Sequence, residues 1–567
     1  MTWRGRHIYL TGLPGAGKTS IGRALASELS KSGYSFIDLD SEIERRAGRT
    51  ISEIFDSGGE EAFRAFETNV LAELADQNFH QKPYVIATGG GTPVSSLNRQ
   101  IMRGSGVVVW IDVTVRQAAK NVVAGVLSGT MRPLLRSNSV EELTTKLREL
   151  YNARQKFYEQ ATLHFVARFQ SEGERDAEDL AQELMKALEQ MSRRVKLRPR
   201  FESLIARSAF GDYPVSVGSG ITAVELARSA WDFAASRIVL VTDSNVAPLH
   251  LKKLTQSLAK ETRDLLSIHQ ITVDAGETHK NETQLFELLR EFSTLGVSRK
   301  DDLVVALGGG VVTDLVGFAA SIYKRGIPLV HVPTSLIGQI DASIGGKTGI
   351  DFEGGKNMLG AFYPPRRVIV DPLYLQTLPK RELQSGLSEL LKYALIGNEE
   401  LWARLSKSIR RLLRGIDPGY EVLIRDAVKE KLRYTDSDEF ERKSGVRELL
   451  NFGHTFAHAF ESATGFTSLL HGEAVALGMR AAAWLSMEEG MLPEDDWQQI
   501  EVVLGRLPVP SVDCTVDEVY SHMRSDKKSS RGANRLILLE RIGRAVAVND
   551  VDTSAIKRAI AFALSVV

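Results

Sequence analysis

The chain is poor in cysteine and lacks a long apolar run. Among its 567 residues there is one cysteine, Cys514, so an internal disulfide framework is excluded and a reducing compartment is expected. No run of apolar residues approaches the roughly 18 that a membrane-spanning helix requires. The opening residues MTWRGRHIYLTG lead directly into a strand pattern, without a cationic and apolar leader before it. We therefore expect a cytoplasmic protein that has no membrane partner.

The chain also lacks a net charge. Its 71 lysine and arginine residues balance 71 aspartate and glutamate residues, which gives no support for nucleic acid or a membrane surface as a partner. The hydrophobic fraction of 43% and the charged fraction of 25% are ordinary for a globular protein. The chain is too long for a single hydrophobic core, and roughly two to four domains are expected.

Strand-like and helix-like runs alternate through the first part of the chain. Before residue 115 the strand-like runs are HIYLTG, YSFIDLD, YVIATGGG and VVVWIDV. This alternation predicts an α/β domain built on a parallel sheet. The charged stretch 171–200 then predicts one amphipathic helix, followed by a basic segment that contains a proline. We predict a first domain over residues 1–190 and a linker over residues 191–204.

A second α/β series follows this linker. Its strand-like runs are YPVSVG, RIVLVTD, HQITVDAG, DLVVALGGG and PLVHVP. Beyond about residue 378, long helical patterns such as ELLKYALIGNEELWARLSKSIRRLL replace the strand patterns. The second half is therefore predicted to contain an α/β lobe over residues 205–378 and a helical lobe over residues 379–567.

A glycine-rich loop near the N-terminus predicts a nucleotide site. The segment GLPGAGKT follows a strand, precedes a helix and matches the pattern G-x-x-x-x-G-K-[ST]. In such a loop, backbone N–H groups and the N-terminus of the helix bind phosphates. Lys18 is expected to reach the β- and γ-phosphates of ATP, and the hydroxyl of Thr19 is expected to bind Mg²⁺. The glycines of the predicted loop are Gly12, Gly15 and Gly17.

An acidic pair follows the next strand. In DLD, the alternation of a strand places Asp38 and Asp40 on the same side, at the edge of the sheet where ligands collect. One carboxylate can bind the metal ion while the other accepts a hydrogen bond from a substrate hydroxyl. The motif FRAFE then places Arg64 and Glu67 on one face of a helix.

Three later features also favour a small anionic substrate. The motif ATGGG contains Gly89–Gly91, a loop that a ligand can approach closely. Arg132 lies in MRPLL, and Arg154 lies in NARQKFY. Guanidinium groups bind carboxylates and phosphates with paired hydrogen bonds, so these arginines suit a substrate that carries either group.

These motifs, in this order, make the segment from about residue 6 to 165 resemble shikimate kinase. The resemblance implies that Asp38 helps to position Mg²⁺, that Asp40 binds the shikimate hydroxyls, and that Arg132 reaches both the phosphates and the substrate. The shikimate contacts it implies are Asp40, Arg64, Gly89, Gly90, Gly91, Arg132 and Arg154. One departure concerns the adenine, because residues 124–131 lack the basic residue that stacks on it in this family, and Lys120 lies farther upstream.

Nucleotide-binding features also occur in the second half. Gly308, Gly309 and Gly310 lie between a strand and a helix in VVALGGGVVTDLVGF, which suits close approach of a phosphate but is not a G-x-G-x-x-G fingerprint. Other polar residues at strand ends could bind the ribose and adenine of a dinucleotide, or could be ordinary capping and turn residues. They are Asp243, Asn245, Glu277 and Lys280.

Cations and metal-ligand side chains are dense after residue 320. Lysines in glycine-rich loops suggest a multiply anionic ligand beyond the dinucleotide. The basic residues are Arg325, Lys347, Lys356, Lys392, Arg447, Lys527 and Lys528, and the neutral amide Asn357 follows Lys356. In NFGHTFAHAFE, His454 and His458 lie on one helix face, His471 follows, and Glu389 is a candidate oxygen ligand from another helix. This set is typical of a catalytic zinc-like site with an open position.

The segment from about residue 205 to the end resembles 3-dehydroquinate synthase in GGGVVTD, VPTSL, QIDASIGGKT, GGKNMLGAFY, SGLSELLKY, LNFGHTFAHA, LLHGEAVALGM and DKK. The resemblance implies a zinc or cobalt ion bound by Glu389, His454 and His471, with His458 near the substrate. It implies NAD contacts from Asp243, Asn245, Glu277, Lys280, Gly308–Gly310, Asp314, Thr334, Ser335, Lys347, Lys356 and Thr377. It implies substrate contacts from Arg325, Asp341, Lys347, Lys356, Asn357, Lys392, Arg447, Asn451, Lys527 and Lys528.

The departures from the second family are small. Thr313 stands where the family usually has glycine, Ser335 replaces a common threonine, and the segment before Arg447 is two residues longer than expected. The assignment of a further substrate lysine to Lys431 is left open by this length difference. A homodimer through the second half is the assembly that we expect.

Together the resemblances predict a bifunctional enzyme of the shikimate pathway, which leads to chorismate and the aromatic amino acids. Its expected reactions are phosphorylation of shikimate by ATP, and conversion of 3-deoxy-D-arabino-heptulosonate 7-phosphate to 3-dehydroquinate and phosphate. Two alternatives remain open at this point. The second half could be another sugar-phosphate cyclase or a polyol dehydrogenase, and the first half could be a binding module without catalysis.

Overall fold

In the computed structural model of the chain, two compact units are formed by Met1–Ser203 and Leu204–Val567. The structure describes residues 6–80, 83–127, 139–167, 177–194, 201–353, 355–415, 419–441, 445–465, 468–527 and 535–566. Within these ranges, no helix is both long enough and apolar enough to cross a membrane.

The first unit contains a five-stranded parallel sheet. Its strands are β1 (His7–Thr11), β2 (Ser35–Asp38), β3 (Tyr84–Ala87), β4 (Gly106–Asp112) and β5 (Leu163–Val166). They are arranged in the order β2-β3-β1-β4-β5, so β1 lies at the centre of the sheet. All residues of β1 are buried, as expected for a parallel strand with helices on both faces.

Seven helices of the first unit are described. They are α1 (Lys18–Glu28), α2 (Leu39–Ala47), α3 (Ile51–His80), α4 (Ser96–Ser105), α5 (Val115–Leu127), α6 (Val140–Tyr158) and α7 (Ala177–Arg194). Helix α1 begins directly after the glycine-rich loop that follows β1. Its apolar residues belong to a hydrophobic core that also includes residues of β4 and α7. The parallel sheet predicted for this part of the chain is therefore confirmed.

The second unit contains a larger sheet in its α/β lobe. Its seven strands are β6 (Glu202–Ala206), β7 (Tyr213–Val217), β8 (Arg237–Asp243), β9 (Ser267–Val273), β10 (Asp302–Gly308), β11 (Leu329–Pro333) and β14 (Arg367–Val370). Their order is β6-β7-β14-β11-β10-β8-β9. The helices of this lobe are α8 (Thr222–Asp232), α9 (Lys252–Thr262), α10 (Glu282–Thr294) and α11 (Gly310–Ile322).

The segment with the clustered lysines between residues 347 and 362 is a β-hairpin. Its antiparallel strands are β12 (Lys347–Phe352) and β13 (Gly355–Phe362). The abundance of glycine in this segment had suggested loops. Glycine is nevertheless required where the two backbones approach, because a Cβ atom at Gly360 would lie 2.2 Å from the Thr348 carbonyl oxygen.

The helical lobe follows β14, as predicted. Its helices are α12 (Lys380–Gly397), α13 (Glu399–Leu412), α14 (Tyr420–Ser437), α15 (His454–Ala463), α16 (His471–Glu488), α17 (Glu494–Leu504), α18 (Val516–Lys527) and α19 (Thr553–Ser565). The sequence patterns had not predicted the small hairpin of β15 (Leu536–Arg541) and β16 (Arg544–Val548). One hydrophobic core joins β7 and β14 to α12, α14, α15 and α16. The predicted α/β class, with an α/β lobe followed by a helical lobe, is confirmed.

A buried histidine in β11 is expected to make the second unit sensitive to acid. His331 is 1% exposed, and its Nδ1 atom donates a hydrogen bond to the Ser343 carbonyl at 3.0 Å. Among the described residues, its Nε2 atom has no hydrogen-bond partner. Burial therefore disfavours the imidazolium and lowers the pKa of His331 to about 4.

The unfolded chain consequently binds the proton of His331 before the folded chain does. The neutral His331 side chain therefore stabilises the fold fully above the unfolded pKa of about 6.5, and this stabilisation is lost as the pH falls towards 4. The loss amounts to about 2 kcal/mol by pH 5. We expect His331→Asn, which retains a donor near Ser343, to reduce by that amount the difference in free energy of unfolding between pH 7 and pH 5. Urea-induced unfolding of the full chain at both pH values measures it. His269→Asn in the edge strand β9 is the control, and an unchanged pH dependence in His331→Asn would contradict the prediction.

Candidate active sites

The glycine-rich loop of the first unit has the conformation that a phosphate cradle requires. Gly15 and Gly17 have φ values of 83° and 84°, a left-handed conformation that favours glycine. A Cβ atom at Gly12 would lie 2.4 Å from the Ile111 carbonyl oxygen, so this position has no room for a side chain. The Lys18 ammonium donates to the carbonyl oxygens of Gly12 at 3.0 Å and Leu13 at 2.9 Å. The buried cation is thus held beside the loop's N–H groups.

The residues predicted to bind Mg²⁺ contact each other. The Thr19 hydroxyl donates a hydrogen bond to Asp38 Oδ2 at 2.8 Å. The strand β2 ends at Asp38, whose side chain caps α2 by accepting from the Ser41 N–H at 3.4 Å. Asp40 therefore lies in the first turn of a helix, and the argument from strand alternation is wrong for this residue. A hydroxyl and a carboxylate at the edge of the loop are suitable ligands for Mg²⁺.

Asp40 and Arg64 both reach the TGGG loop. A Cβ atom at Gly89 would lie 3.1 Å from Asp40 Oδ1, and one at Gly91 would lie 2.6 Å from Arg64 Nη2. These glycines therefore allow the carboxylate and the guanidinium to approach the backbone from α2 and α3. The loop, the carboxylate and the guanidinium therefore lie close together.

Arg64 is oriented by a buried carboxylate. Its Nη1 atom donates to Glu67 Oε2 at 2.9 Å, and the Glu67 side chain is 1% exposed. The Thr92 hydroxyl donates to Glu67 Oε1 at 2.6 Å. The Nε and Nη2 atoms of Arg64 also donate to Glu60 Oε1, at 3.4 and 3.2 Å. Arg64 retains an exposed fraction of 30%, so its remaining N–H groups can reach a ligand. Glu67, which sequence analysis placed on the same helix face, acts as the support of Arg64.

Arg154 approaches the same loop through a tyrosine. It hydrogen bonds the hydroxyl of Tyr158, which donates to the Gly90 carbonyl oxygen at 2.6 Å. Burial, opposed by Arg154, raises the pKa of Tyr158 to about 12, so the phenol is neutral and serves as a donor. Arg132 and residues 128–131 lie outside the described residues, whereas Lys120 lies in α5.

In the second unit, the three glycines lie where β10 meets α11. Gly309 precedes the first turn of the helix, and a Cβ atom there would lie 3.3 Å from Ser335 Oγ. Ser335 accepts a hydrogen bond from the Gly338 N–H at 3.1 Å. The Thr313 hydroxyl donates to the Gly310 carbonyl oxygen within α11 at 3.0 Å, which explains how the helix accommodates threonine in place of glycine.

A lysine connects three predicted ligand-binding residues near this loop. Lys280 donates to Asp314 Oδ2 and to Asn357 Oδ1, both at 2.6 Å, and its Nζ atom lies 4.0 Å from Glu277 Oε1. Burial raises the pKa of Asp314 to about 6 although Lys280 opposes the shift. Asn357, predicted as a substrate contact, is therefore placed with residues predicted to bind the dinucleotide.

Other predicted dinucleotide contacts follow strands of the same parallel sheet. Asp243 ends β8, and its Oδ1 atom accepts from the N–H groups of Asn245 and Val246, each at 2.8 Å. The Thr377 hydroxyl donates to the Tyr374 carbonyl oxygen at 3.0 Å and lies 2.6 Å from His250 Nε2. Thr334 follows β11. These positions form the edge at which parallel sheets usually bind ligands.

The three predicted metal ligands converge in the helical lobe. Glu389 of α12, His454 of α15 and His471 of α16 each provide a ligand atom, and these atoms lie within 4.8 Å of one another. Glu389 Oε1 is 3.4 Å from His454 Nε2 and 3.5 Å from His471 Nε2. The His458 ring lies 5.8 Å from the His454 ring, outside this group. One carboxylate and two imidazoles are a suitable ligand set for zinc or cobalt.

The charges around this cluster keep the Glu389 carboxylate ionised, which is the form that binds a metal ion. Burial alone would raise the pKa of Glu389, but Lys392 and His454 outweigh it and hold that pKa well below its usual range. Burial also disfavours the imidazolium of His471, whereas hydrogen bonds to Glu389 and Glu461 raise its pKa to about 9. A ligating imidazole must be neutral, so a metal ion that binds here displaces the proton of His471.

A buried network of two lysines and an aspartate extends from the cluster. Lys392 Nζ is 2.5 Å from Glu389 Oε2 and 3.5 Å from Asp341 Oδ2. Lys431 donates to Asp341 Oδ1. Burial would raise the pKa of Asp341, yet the two ammonium groups hold it below its usual value. Lys431, whose role the sequence left open, therefore belongs to this network.

Lys347 and Arg447 lie beside one carboxylate. Glu441 Oε1 is 2.5 Å from Lys347 Nζ and 3.2 Å from Arg447 Nε. Arg447 also donates to the Asp438 carbonyl oxygen at 2.9 Å. The two cations are thus held together at a position that accepts an anionic oxygen.

Some predicted substrate contacts are not brought to these groups. Arg325 is exposed in a short turn after α11, and Asn451 is exposed at the end of the turn Arg447–Asn451. Within the described part of the chain, no hydrogen bond or ion pair connects either residue to the Glu389 cluster. Lys528 lies outside the described residues, and the side chain of Lys527 is not described.

Sequence analysis missed two carboxylates. Glu461 contacts His471 and Lys356, and Glu441 contacts Lys347 and Arg447. A sequence pattern for Glu461 was present, because it follows His458 by three residues on the helix face that carries His454. Glu441 lies in the longer segment before Arg447 and had no comparable pattern.

Comparison with protein families assigns the two units separately. The family model of shikimate kinase matches residues 14–189. Those of the N-terminal and C-terminal parts of 3-dehydroquinate synthase match residues 270–385 and 386–529. The 3-dehydroquinate synthase of Acidithiobacillus ferrooxidans is 40% identical over 350 residues, which is 61% of this chain and 94% of that protein. The 3-dehydroquinate synthase of Nitrosospira multiformis is 40% identical over 354 residues, which is 62% of this chain and 94% of that protein.

Solved structures agree with this assignment. The 2-epi-5-epi-valiolone synthase of Streptomyces hygroscopicus, solved with NAD⁺ and Zn²⁺, is 34% identical with a TM-score of 0.57, covering 64% of this chain and 99% of that one. A 2-deoxy-scyllo-inosose synthase, solved with carbaglucose-6-phosphate, NAD⁺ and Co²⁺, is 25% identical with a TM-score of 0.56, covering 63% and 99%. The chain therefore belongs to the 3-dehydroquinate synthase family through its second unit and carries a shikimate kinase domain before it, so that it combines a kinase with a lyase.

Proposed function

We propose that the first unit transfers phosphate from ATP to shikimate. We also propose that the second unit converts 3-deoxy-D-arabino-heptulosonate 7-phosphate to 3-dehydroquinate and phosphate. The observation that carries the second proposal is the convergence of Glu389, His454 and His471 beside the buried Lys392–Asp341–Lys431 network. A simple alcohol substrate would have no use for so many cations, whereas a substrate with a carboxylate and a phosphate would.

In the first unit, the proposed roles follow from position. Thr19 and Asp38 would hold Mg²⁺, and Lys18 would stabilise negative charge on the transferred phosphoryl group. Asp40 lies against Gly89 and would accept the proton of the attacking shikimate hydroxyl. Arg64, oriented by Glu67, would bind the carboxylate with Arg154. Arg132 retains its proposed role at the phosphates.

In the second unit, the residues present fit a divalent ion and a dinucleotide. The ligand cluster has the donor types of a zinc or cobalt site, and three successive glycines lead into the N-terminus of α11. When bound, the ion supplies Lewis-acid polarisation of a substrate hydroxyl, and NAD supplies a reversible hydride acceptor. The residues proposed to hold NAD are Asp243, Asn245, Glu277, Lys280, Gly308–Gly310, Asp314, Thr334, Ser335, Lys347, Lys356 and Thr377.

The charged residues around the cluster would position the substrate and hold its charge. Lys392 and Lys431 share Asp341, so the three groups can take up and release a proton next to Glu389. Lys347 and Arg447 would bind an anionic substrate group in place of the Glu441 carboxylate. Exposed His458 lies close enough to the cluster to exchange a proton with the substrate.

We also propose a domain organisation and a cellular compartment for the chain. We assign kinase to residues 1–190, a linker to 191–204, the dinucleotide lobe to 205–378 and the metal lobe to 379–567. The single cysteine supports a reducing, cytoplasmic compartment.

The similarity to 2-epi-5-epi-valiolone synthase favours one alternative function for the second unit, namely a cyclase that acts on another sugar phosphate.

Two assays on one purified chain test these assignments. With Mg²⁺, ATP and shikimate, ADP formation is expected. With the heptulosonate phosphate, catalytic NAD and Zn²⁺ or Co²⁺, phosphate release is expected, and a sugar phosphate that lacks the carboxylate serves as the competing substrate. A chelator is expected to stop only the cyclase once Mg²⁺ is restored. Turnover of the competing substrate without turnover of the heptulosonate phosphate would favour the alternative cyclase.

A further inference from the structure

Glu461 is a buried carboxylate that contacts the ligand cluster from behind. Its side chain is 3% exposed, and it lies on α15, the helix that begins with His454. Its Oε1 atom is 3.5 Å from His471 Nδ1 and 3.1 Å from Lys356 Nζ. Glu461 is not among the three residues whose ligand atoms converge. A buried carboxylate is costly unless it is paired, and here it is paired with two partners of different elements.

The contact with Glu461 determines which ring nitrogen of His471 is available to a metal ion. One ring nitrogen, Nδ1, faces Glu461, while the other, Nε2, lies 3.5 Å from Glu389 Oε1 inside the cluster. An imidazole that donates its Nδ1–H to a carboxylate has its Nε2 lone pair available as a ligand. The ring is therefore held between an outer and an inner carboxylate.

We propose that Glu461 is a positioning residue that fixes the tautomer and orientation of His471 for metal binding. The inference rests on the proposed metal site, and it adds a residue that is neither a ligand nor a substrate contact. Carboxylates that accept the second N–H of a ligating histidine orient the ring and increase its basicity. Glu461 occupies that position for His471.

Glu461 also connects the cluster to the hairpin. Lys356 belongs to β13, whereas His471 begins α16, and the same oxygen atom of Glu461 contacts both. The ammonium group of Lys356 offsets the charge of Glu461 without entering the ligand group. The positions of Lys356 and of His471 therefore both depend on the Glu461 side chain.

Metal affinity of the full chain tests this proposal without any substrate. Zn²⁺ dissociation constants are measured by competition with a chromophoric chelator for wild type, Glu461→Gln and Glu461→Asp. The Gln variant retains the shape but loses the charge, and the Asp variant retains the charge but shortens the reach. Glu501→Gln is the matched control, because Glu501 is a partly buried carboxylate of the same lobe that is paired with Arg480 of α16. The absorption spectrum of the Co²⁺-loaded protein and the melting temperature of the metal-free protein complete the measurements.

We expect both Glu461 variants to raise the Zn²⁺ dissociation constant by about tenfold or more. The metal-free melting temperature is expected to stay within about 2 °C of the control, and the Co²⁺ bands are expected to shift. Lys356→Met is expected to leave the dissociation constant within about threefold of wild type, because Lys356 lies outside the ligand group.

Three results would overturn the proposal: unchanged affinity in both Glu461 variants, an equal loss of affinity in Glu501→Gln, or an equal loss in Lys356→Met. The last result would mean that Glu461 acts through the hairpin instead of through His471. A wild-type chain that fails to cyclise the heptulosonate phosphate would contradict the proposed reaction, while the metal affinities would still decide the role of Glu461.

Discussion

Replacing His454 with alanine is expected to lower phosphate release from the heptulosonate phosphate by about 10³-fold or more, because metal assistance contributes several kcal/mol to the barrier. His454 Nε2 lies 3.4 Å from Glu389 Oε1, and its other nitrogen lies 3.2 Å from the Phe452 carbonyl oxygen. The substitution removes one of the three proposed ligands and leaves the Glu389 carboxylate paired with Lys392. Shikimate phosphorylation by the same chain is expected to remain within about twofold of wild type, since its metal site is built from other residues.

The measurement pairs phosphate release with ADP formation on one preparation. His269→Ala, which removes an imidazole from β9, is the control for loss of a histidine in the same unit. Excess Zn²⁺ is not expected to restore the His454→Ala variant fully, because two remaining ligands bind the ion more weakly than three. A variant that retains cyclase activity at saturating substrate would exclude His454 as a ligand.

Replacing Lys18 with methionine is expected to lower ADP formation with shikimate by about 10³-fold, since a buried cation next to the transferred phosphoryl group stabilises the charge of the transition state. Methionine approximately preserves the length of the side chain but cannot donate to the carbonyl oxygens of Gly12 and Leu13. The cyclase of the same chain is expected to be unchanged, so loss of both activities would indicate misfolding.

The control for Lys18→Met is Lys31→Met, which makes the same change at an exposed lysine of the first unit. Shikimate affinity separates the roles further. The Lys18 variant is expected to lose kcat while the KM for shikimate changes little, because Arg64 and the TGGG loop remain intact. A Lys18→Met enzyme as active as wild type would instead favour a binding module without catalysis in the first unit.

Local features were the easiest to predict. The phosphate loop depends on residues that are close in sequence: its glycines adopt left-handed φ values, and Lys18 contacts carbonyl groups five and six residues away. The four-residue spacing of His454 and His458 likewise places both rings on one face of α15. A short stretch of chain contains all of the information for such features.

Features that do not follow from residue periodicity or from a known motif were predicted less well. Strand alternation failed for Asp40, because the Asp38 side chain caps a helix that begins one residue later. The lysine-rich glycine segment forms a hairpin, since β12 and β13 satisfy each other's backbone groups. Glu461 could be recognised only after His471 and Lys356, from two other elements, were found beside it.

The amino-acid order determines the alternating α/β pattern, the phosphate loop and the types of side chain available for a metal site, because these follow from periodicity and from neighbours along the chain. Folding in three dimensions decides which charges meet: Glu389 with Lys392 and the two histidines, Asp341 with Lys431, and Glu461 with His471. Burial makes an unpaired charge costly, so each buried charge needs a partner, and the packing of α12, α14, α15 and α16 selects which partner that is.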